Sequence, residues 1–531
     1  MNGILSTPKP FGFIQARLGS QRLNGKILKS IPIENGKSLL EHIHSRLIKI
    51  IPNERIVFLI PEEDDELALY LSNKNFQFHK GPLEDVRRRY IDAAEKYGAK
   101  DIIRLTGDNP FIDITSIELL WEAMFHLCTR YYCLAMAHLP LGMGVECFSY
   151  ESLVHNIDIL NDKRHLEHVS LHIKEDLKKN TVYRLIPPHI EYNNLQYTNE
   201  IRMTIDENLD FEVMLDVWRE LGETDPYFGA NEVIKLYKNN PSLFEKNQPV
   251  KQVKFELPKE NFIKKRISLS YGDPKIFGSG HFERCKSLSI EMQMNQYEVL
   301  CNSYPTENSI SPIDGYIIDS RETIHKNFPA LSIDDLGPKK NDVTSVYFLP
   351  HPDITQSKIK NNKSISFYSS PIIGLFKDIP SKQGQWMIYA GSLNKEQTEL
   401  IDSFLLNNLN KKWNVKQWIR IGGTPSSSSN EILYFPRLSK FEFYNCLSTS
   451  EGFISYFGQS IMESMYLGKK TKLIGISEIH KELGIFFSDL AHIEYLGEIN
   501  NLKLANEEHP SVNIKINRNA QDVIFEWLNT L

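Results

Sequence analysis

"VRRRYIDAAEKYGAKDIIRLTGD", residues 86–108, decides the fold class. Up to Gly98 it reads as a helix closed by a glycine, and "DIIRLTGD" reads as a strand running into a turn. The same rhythm extends outward. "FGFIQA" and "RIVFLIP" read as strands, while "SLLEHIHSRLIKII" and "DELALYLSNK" carry helical patterns. Alternation of this kind predicts an α/β fold whose mostly parallel sheet is covered by helices and offers its strand carboxyl ends to ligands.

The texture changes at residues 238–265, "KNNPSLFEKNQPVKQVKFELPKENFIKK", which is polar, proline-punctuated and weakly periodic. Alternation then restarts with "RISLSYG", "GYIIDS", "VTSVYFLP", "WMIYAG", "KQWIRIGG", "GFISYFG" and "KTKLIGI". A chain of 531 residues exceeds what one core supports. The predicted plan is a first domain over 1–240, a linker over 241–265, and two small lobes over 266–375 and 376–531.

A formal charge of −6 over this length is nearly balanced, which argues against a general polyanion binder. The first residues lack a basic stretch followed by a long apolar one, so no signal peptide is expected. No run of 18 apolar residues is present, so no membrane span is expected either. The six cysteines form no C-x-x-C pair, and reduced thiols in a cytoplasmic protein fit them best.

Against this balance the opening is unusual. From Met1 to Ile33 there are five cations, Lys9, Arg17, Arg22, Lys26 and Lys29, and no Asp or Glu. A strand leading into "RLGSQR" would present Arg17 and Arg22 beside backbone N–H groups freed by Gly19, with Ser20 alongside. That suits a phosphate, although a merely solvated basic loop has the same composition. It is not the Walker A arrangement. Asp108 ends the strand "RLTGD" and Asp206 ends "MTID"; at neighbouring strand ends both could meet one metal ion. Each could equally be a turn or capping aspartate.

"IQARLGSQRLNGKILKSI" resembles the opening Q-A-R-x-G-S-x-R-L-x-G-K-x-L of the spore-coat polysaccharide cytidylyltransferases, relatives of the CMP-Kdo and CMP-sialate synthetases. "GPLEDVRRRYIDAAEKYGAKDIIRLTGDNPFID", "LPLGMGVECFS", "RHLEHVSLHI" and "IRMTIDENLDFEVM" are similar to later segments of that family, in order. The resemblance implies a Rossmann-like mixed sheet of the nucleotidyltransferase type. It implies CTP on Arg17, Gly19, Ser20, Arg22, Lys26 and Gly107, with Arg17 and Lys26 acting in catalysis and Mg2+ on Asp108 and Asp206. Glu146, Glu167 and His168 would face a sugar-acid acceptor, or be ordinary polar surface residues.

"RISLSYGDPKIFGSGHFERC" opens the second half with a histidine, His281, in a glycine-rich turn at a helix start. The helix dipole disfavours its charged form, which suits a neutral base; a capping or core histidine is the alternative. The stretch resembles the G-x-G-H-x-x-R-C opening of the pseudaminic-acid-pathway UDP-sugar hydrolases, and "GFISYFGQSIMESMYLGKKTKLIGI" resembles their nucleotide-gripping segment. This implies a two-lobed GT-B-like region with His281 as general base and Asp319 orienting the sugar. Gly458 and Ser460 would lie by the phosphates of a UDP-sugar, and Glu463 near the ribose. A glycosyltransferase or a binding module stays open for this half, and a different acid or a phosphonate for the first. CTP, a sugar acid and a UDP-sugar are the partners implied; nucleic acid and membrane are not, and a homodimer is allowed.

Overall fold

The computed structural model describes residues 9–19, 22–155, 162–250, 264–274, 278–305, 312–320, 329–334, 344–346, 348–350, 364–391, 393–408, 414–425, 432–503, 515–518 and 520–531. Ser20 lies outside the described residues. The chain separates into two compact units, residues 1–264 with 290–300, and residues 265–289 with 301–531.

In the first unit seven strands form one sheet: β1 (Phe11–Gln15), β2 (Ile56–Pro61), β3 (Phe78–Gly81), β4 (Asp101–Thr106), β5 (Tyr132–Met136), β6 (Glu146–Ser149) and β7 (Thr181–Leu185), in the order β3-β2-β1-β4-β6-β5-β7. Pairings among β3, β2, β1 and β4 are parallel, while β6 runs antiparallel to both β4 and β5. The sheet is therefore mixed. All six residues of β2 are buried, as a strand covered on both faces requires.

Local chemistry fixes where the helices begin and end. Helix α1 (Leu39–Leu47) starts at a reciprocal cap: Ser38 Oγ accepts from Glu41 N, and Glu41 Oε2 accepts from Ser38 N. After helix α2 (Asp65–Asn73), helix α3 (Val86–Tyr97) is capped by Asp85, whose Oδ1 accepts from Arg88 N, and is stopped by Gly98 at φ 65°. Phe13, Val57, Leu59, Tyr90, Ile102 and Phe148 fill the core between α3 and the sheet.

Two buried histidines make this unit acid-sensitive. His42 packs edge-on against Phe111 and Trp218 and bonds the Ile31 carbonyl; His172 bonds the Leu153 carbonyl. Burial, helped by nearby guanidiniums, lowers each from 6.5 to about 4. A depressed folded value means stability that is fully present above pH 6.5 and lost as pH falls toward 4. The urea midpoint of the first unit is expected to fall between pH 7.5 and 5. A His42→Gln, His172→Gln double variant should flatten that slope.

The linker expectation over 241–265 needs correction at its start. Leu243 and Phe244, in the helical turn Ser242–Glu245, are buried, and Asn247 is buried with its amide donating to Arg202 O and Asp210 Oδ1. Apolar anchors and a buried amide that donates twice tie this stretch to the first unit.

The second unit contains a five-stranded and a six-stranded sheet. In the first, Arg266–Tyr271, Gly315–Asp319, Ala330–Ile333 and Thr344–Val346 run parallel in that order. In the second, all pairings are parallel, from Ile432–Phe435 through Gln417–Gly422, Lys382–Gly391, Ser450–Tyr456 and Lys470–Gly475 to Glu494–Glu498. The expected lobe boundary is crossed once more at the chain's end. Lys515–Asn517 pairs with Ser364–Ser366, and Leu531 packs so closely on Gly315 that an added Cβ would lie 2.6 Å from it. The last residues thus return to the sheet that opens the unit.

Candidate active site

Strand β1 ends at Gln15, and the loop after it is pinned by Leu18 N donating to Asp64 Oδ2 at 2.9 Å. Gly25, at φ 61°, turns the chain into the short helical turn Lys26–Leu28 and points Lys26 inward. The buried ammonium lies 2.6 Å from Ile205 O, 3.1 Å from Asp108 Oδ2 and 3.1 Å from Asp206 Oδ1. Two carboxylates 98 residues apart are thereby gathered on one cation.

Backbone geometry explains why they meet. Ile205 N donates to Asp108 O at 3.0 Å, and Gly107 N donates to Gln15 O at 2.8 Å. A Cβ at Gly107 would come within 3.1 Å of Leu40 and 3.3 Å of the Gln15 carbonyl, so a side chain there would need its neighbours to give by a few tenths of an ångström. Asp206 does not end a strand, contrary to the expectation from "MTID". Its segment makes one isolated bridge, Leu141 to Arg202, and Asp206 instead leads into helix α4 (Asn208–Val217). Behind it, Arg202 Nη2 donates to Asp206 Oδ2 at 2.7 Å and Nε donates to the buried Asp210 at 2.8 Å. In front, half-exposed Arg22 pairs with Asp206 at 3.1 Å. Burial would raise the Asp206 pKa, but Lys26, Arg22 and Arg202 together hold it below the ordinary range.

This cluster forms one end of a cavity of about 1450 Å³, which Arg17, Gly19, Gly107, Glu146, Glu167 and His168 also line. Arg17 and Gly19 are exposed at its rim. Glu146, the first residue of β6, also lines the cavity, accepts from Ser170 Oγ and Lys174 Nζ and pairs with Arg104 at 3.3 Å. Burial opposes its charge, yet Lys174 and Arg104 lower it to about 2. Arg104, Ser170, Lys174, Arg202, Asp210 and Asn247 escaped sequence reading. Arg104 carried a signal as a charge within the apolar strand "DIIRL", and Arg202 and Asp210 lie within "IRMTIDENLDFEVM", which carries the family resemblance.

The cytidylyltransferase family matches residues 11–248, a span that contains this cavity. The chain is 32% identical over 234 residues to the spore coat polysaccharide biosynthesis protein SpsF of Bacillus subtilis, covering 43% of this chain and 93% of that one. The chain belongs to the cytidylyltransferase family. It is also 29% identical over 247 residues to an uncharacterised protein of Methanocaldococcus jannaschii, covering 46% of this chain and 96% of that one. A solved cytidylyltransferase from Leptospira borgpetersenii is 26% identical, with a TM-score of 0.39 over 47% of this chain and all of that one.

Beyond the cytidylyltransferase unit, the residues expected to grip a second nucleotide occupy defined positions. Gly458 precedes the helix Gln459–Tyr466, and Ser460 Oγ lies 3.5 Å from Ser455 Oγ. Glu463 is buried, and its Oε1 accepts from Ser369, Tyr444 and Gln459; it holds protein groups where a ribose contact was expected. His281 is the second residue of helix α5 (Gly280–Met294). Asp319, expected to orient a sugar, is fully buried, with Oδ1 2.5 Å from His281 Nδ1 and both oxygens bonded by Arg284.

Proposed function

We propose that the first unit transfers the cytidylyl group of CTP to a 2-keto-3-deoxy sugar acid, and that the second hydrolyses a UDP-amino-sugar. The observation that carries the first reading is the meeting of Arg22, Lys26, Asp108 and Asp206 at one end of a large cavity. Its volume of about 1450 Å³ exceeds the usual range for a single small ligand, leaving space for a nucleotide and an acceptor together.

Among the described residues no group of three or more His, Cys, Asp or Glu converges as a metal site. Two carboxylate oxygens, each 3.1 Å from one ammonium, nevertheless suit magnesium, which keeps waters and phosphate oxygens in its other positions. Asp108 and Asp206 would hold it, and when bound it would supply positive charge to the α-phosphate. Arg22 and Lys26 add fixed charge at the same end, where negative charge builds up on the departing pyrophosphate. The acceptor oxygen bonds to the α-phosphorus as the bond to the β-phosphate breaks, and pyrophosphate leaves with the electron pair. Glu146, with a pKa of about 2, is ionised at neutral pH and suits an acceptor hydroxyl as a hydrogen-bond partner.

The second reading rests on the buried His281–Asp319 pair beside the Gly278–Gly280 turn. All six cysteines are free thiols, which supports a reducing cytoplasmic setting. Among the described residues no helix is long and apolar enough to cross a membrane.

The test is the full-length chain with CTP, magnesium and a panel of sugar acids, recording pyrophosphate, and separately with UDP-amino-sugars, recording UDP. Pyrophosphate release dependent on a 2-keto-3-deoxy acid is expected; inertness toward every sugar acid would sink that reading. Because Arg202 holds Asp206 from behind, Arg202→Lys keeps the charge but loses the two-pronged grip. It should lower kcat roughly tenfold with KM for CTP little changed.

A further inference from the structure

Four charged side chains form a row in the second unit. Asp334, just after Ala330–Ile333, lies 2.9 Å from Arg284 Nη2. Arg284 donates twice to Asp319, at 2.9 and 3.0 Å, and Asp319 reaches His281 Nδ1 at 2.5 Å. Asp319 closes the strand Gly315–Asp319, while His281 and Arg284 share one face of α5 as an i, i+3 pair. All four are buried.

Arg284 and His281 hold the Asp319 pKa below the ordinary range against its burial, whereas burial and Asp319 raise that of Asp334 and Arg284 restrains it. Arg284 Nη2 also lies 3.1 Å from His281 Nδ1, so the clamp and the carboxylate meet the ring at the same nitrogen. A carboxylate on Nδ1 also selects the tautomer, because Nδ1 must carry the hydrogen it donates, leaving Nε2 as the basic nitrogen.

We propose that Asp319, clamped by Arg284, is a positioning residue that holds His281 in its Nδ1–H form and balances the charge when Nε2 takes a proton. This rests on the UDP-sugar reading for the identity of the step. There, the water oxygen bonds to the anomeric carbon, the bond from that carbon to the diphosphate oxygen breaks, and UDP leaves with the electron pair. The water proton passes to Nε2. A mere structural strap between helix and sheet would need no particular tautomer.

The experiment uses the full-length chain with 15N-labelled histidine, His281 being assigned through His281→Gln. The neutral ring is expected to be protonated at Nδ1; a ring protonated at Nε2 overturns the proposal. Asp319→Asn should cut kcat for UDP release by roughly 100-fold with KM little changed, and Asp319→Glu should restore part of it. An Asp319→Asn kcat within about threefold of wild type overturns the proposal. If Asp319→Asn does not fold, the wild-type tautomer decides alone. If the wild type frees no UDP while the tautomer is as expected, the pair stands and the substrate reading falls.

Discussion

Lys26→Met is expected to lower kcat/KM for cytidylyl transfer by roughly 10²–10³-fold, more than any other single change at this cavity. Among the described residues the ammonium is the one group bonded to both Asp108 and Asp206, and it also bonds the Ile205 carbonyl. Methionine matches its length and leaves two carboxylates facing each other with only Arg22 and Arg202 to compensate Asp206. The Asp206 pKa should then rise, because Lys26 is the largest influence lowering it. Charge is lost twice: on the triphosphate, and in the arrangement of the two aspartates. Lys26→Arg should not rescue, since a planar guanidinium cannot replace a compact ammonium among three oxygens. Steady-state pyrophosphate release at saturating acceptor is the measurement, and activity within threefold of wild type would remove Lys26 from the chemistry.

Much of this was legible because the site uses short segments with fixed spacing. The basic, acid-free opening and the turn "TGD" are local patterns, and the structure sets both on one cavity. What stayed hidden depends on tertiary contact. Asp206 looked like a strand end because "IRMTID" alternates, yet with one bridge to Leu141 the segment never joins the sheet. Glu146 reads as a lone polar residue until Lys174, 28 residues later, folds onto it. Strand β3, "FHKG", has polar residues and a glycine at a sheet edge, so periodicity cannot reveal it. Asn247 sits in the most polar stretch of the chain and is nonetheless buried, because two acceptors from elsewhere satisfy its amide.

The largest stability effect is expected from Arg284→Met in the second unit, a loss of about 3–5 kcal/mol. The guanidinium is buried and is the shared partner of Asp319 and Asp334. Methionine fills similar space but leaves two carboxylates in an interior that cannot solvate them. Asp319 keeps its contact with His281 Nδ1, so the larger penalty falls on Asp334. Burial already holds the Asp334 pKa above the ordinary value, Asp319 raises it further, and Arg284 is what restrains it. A carboxyl with a raised folded pKa is destabilising while ionised and recovers as pH falls, so the variant's deficit should shrink toward mildly acidic pH. Adding Asp334→Asn should recover part of the loss at pH 7. Its amide oxygen can still accept from Phe348 N and Leu349 N. Hydrogen exchange reads the result locally: protection should fall across Gly315–Asp319 and Ala330–Ile333 while Ile56–Pro61 keeps its own. A single variant as protected as wild type would mean that the two carboxylates are already neutral in the native protein, and that Arg284 compensates nothing.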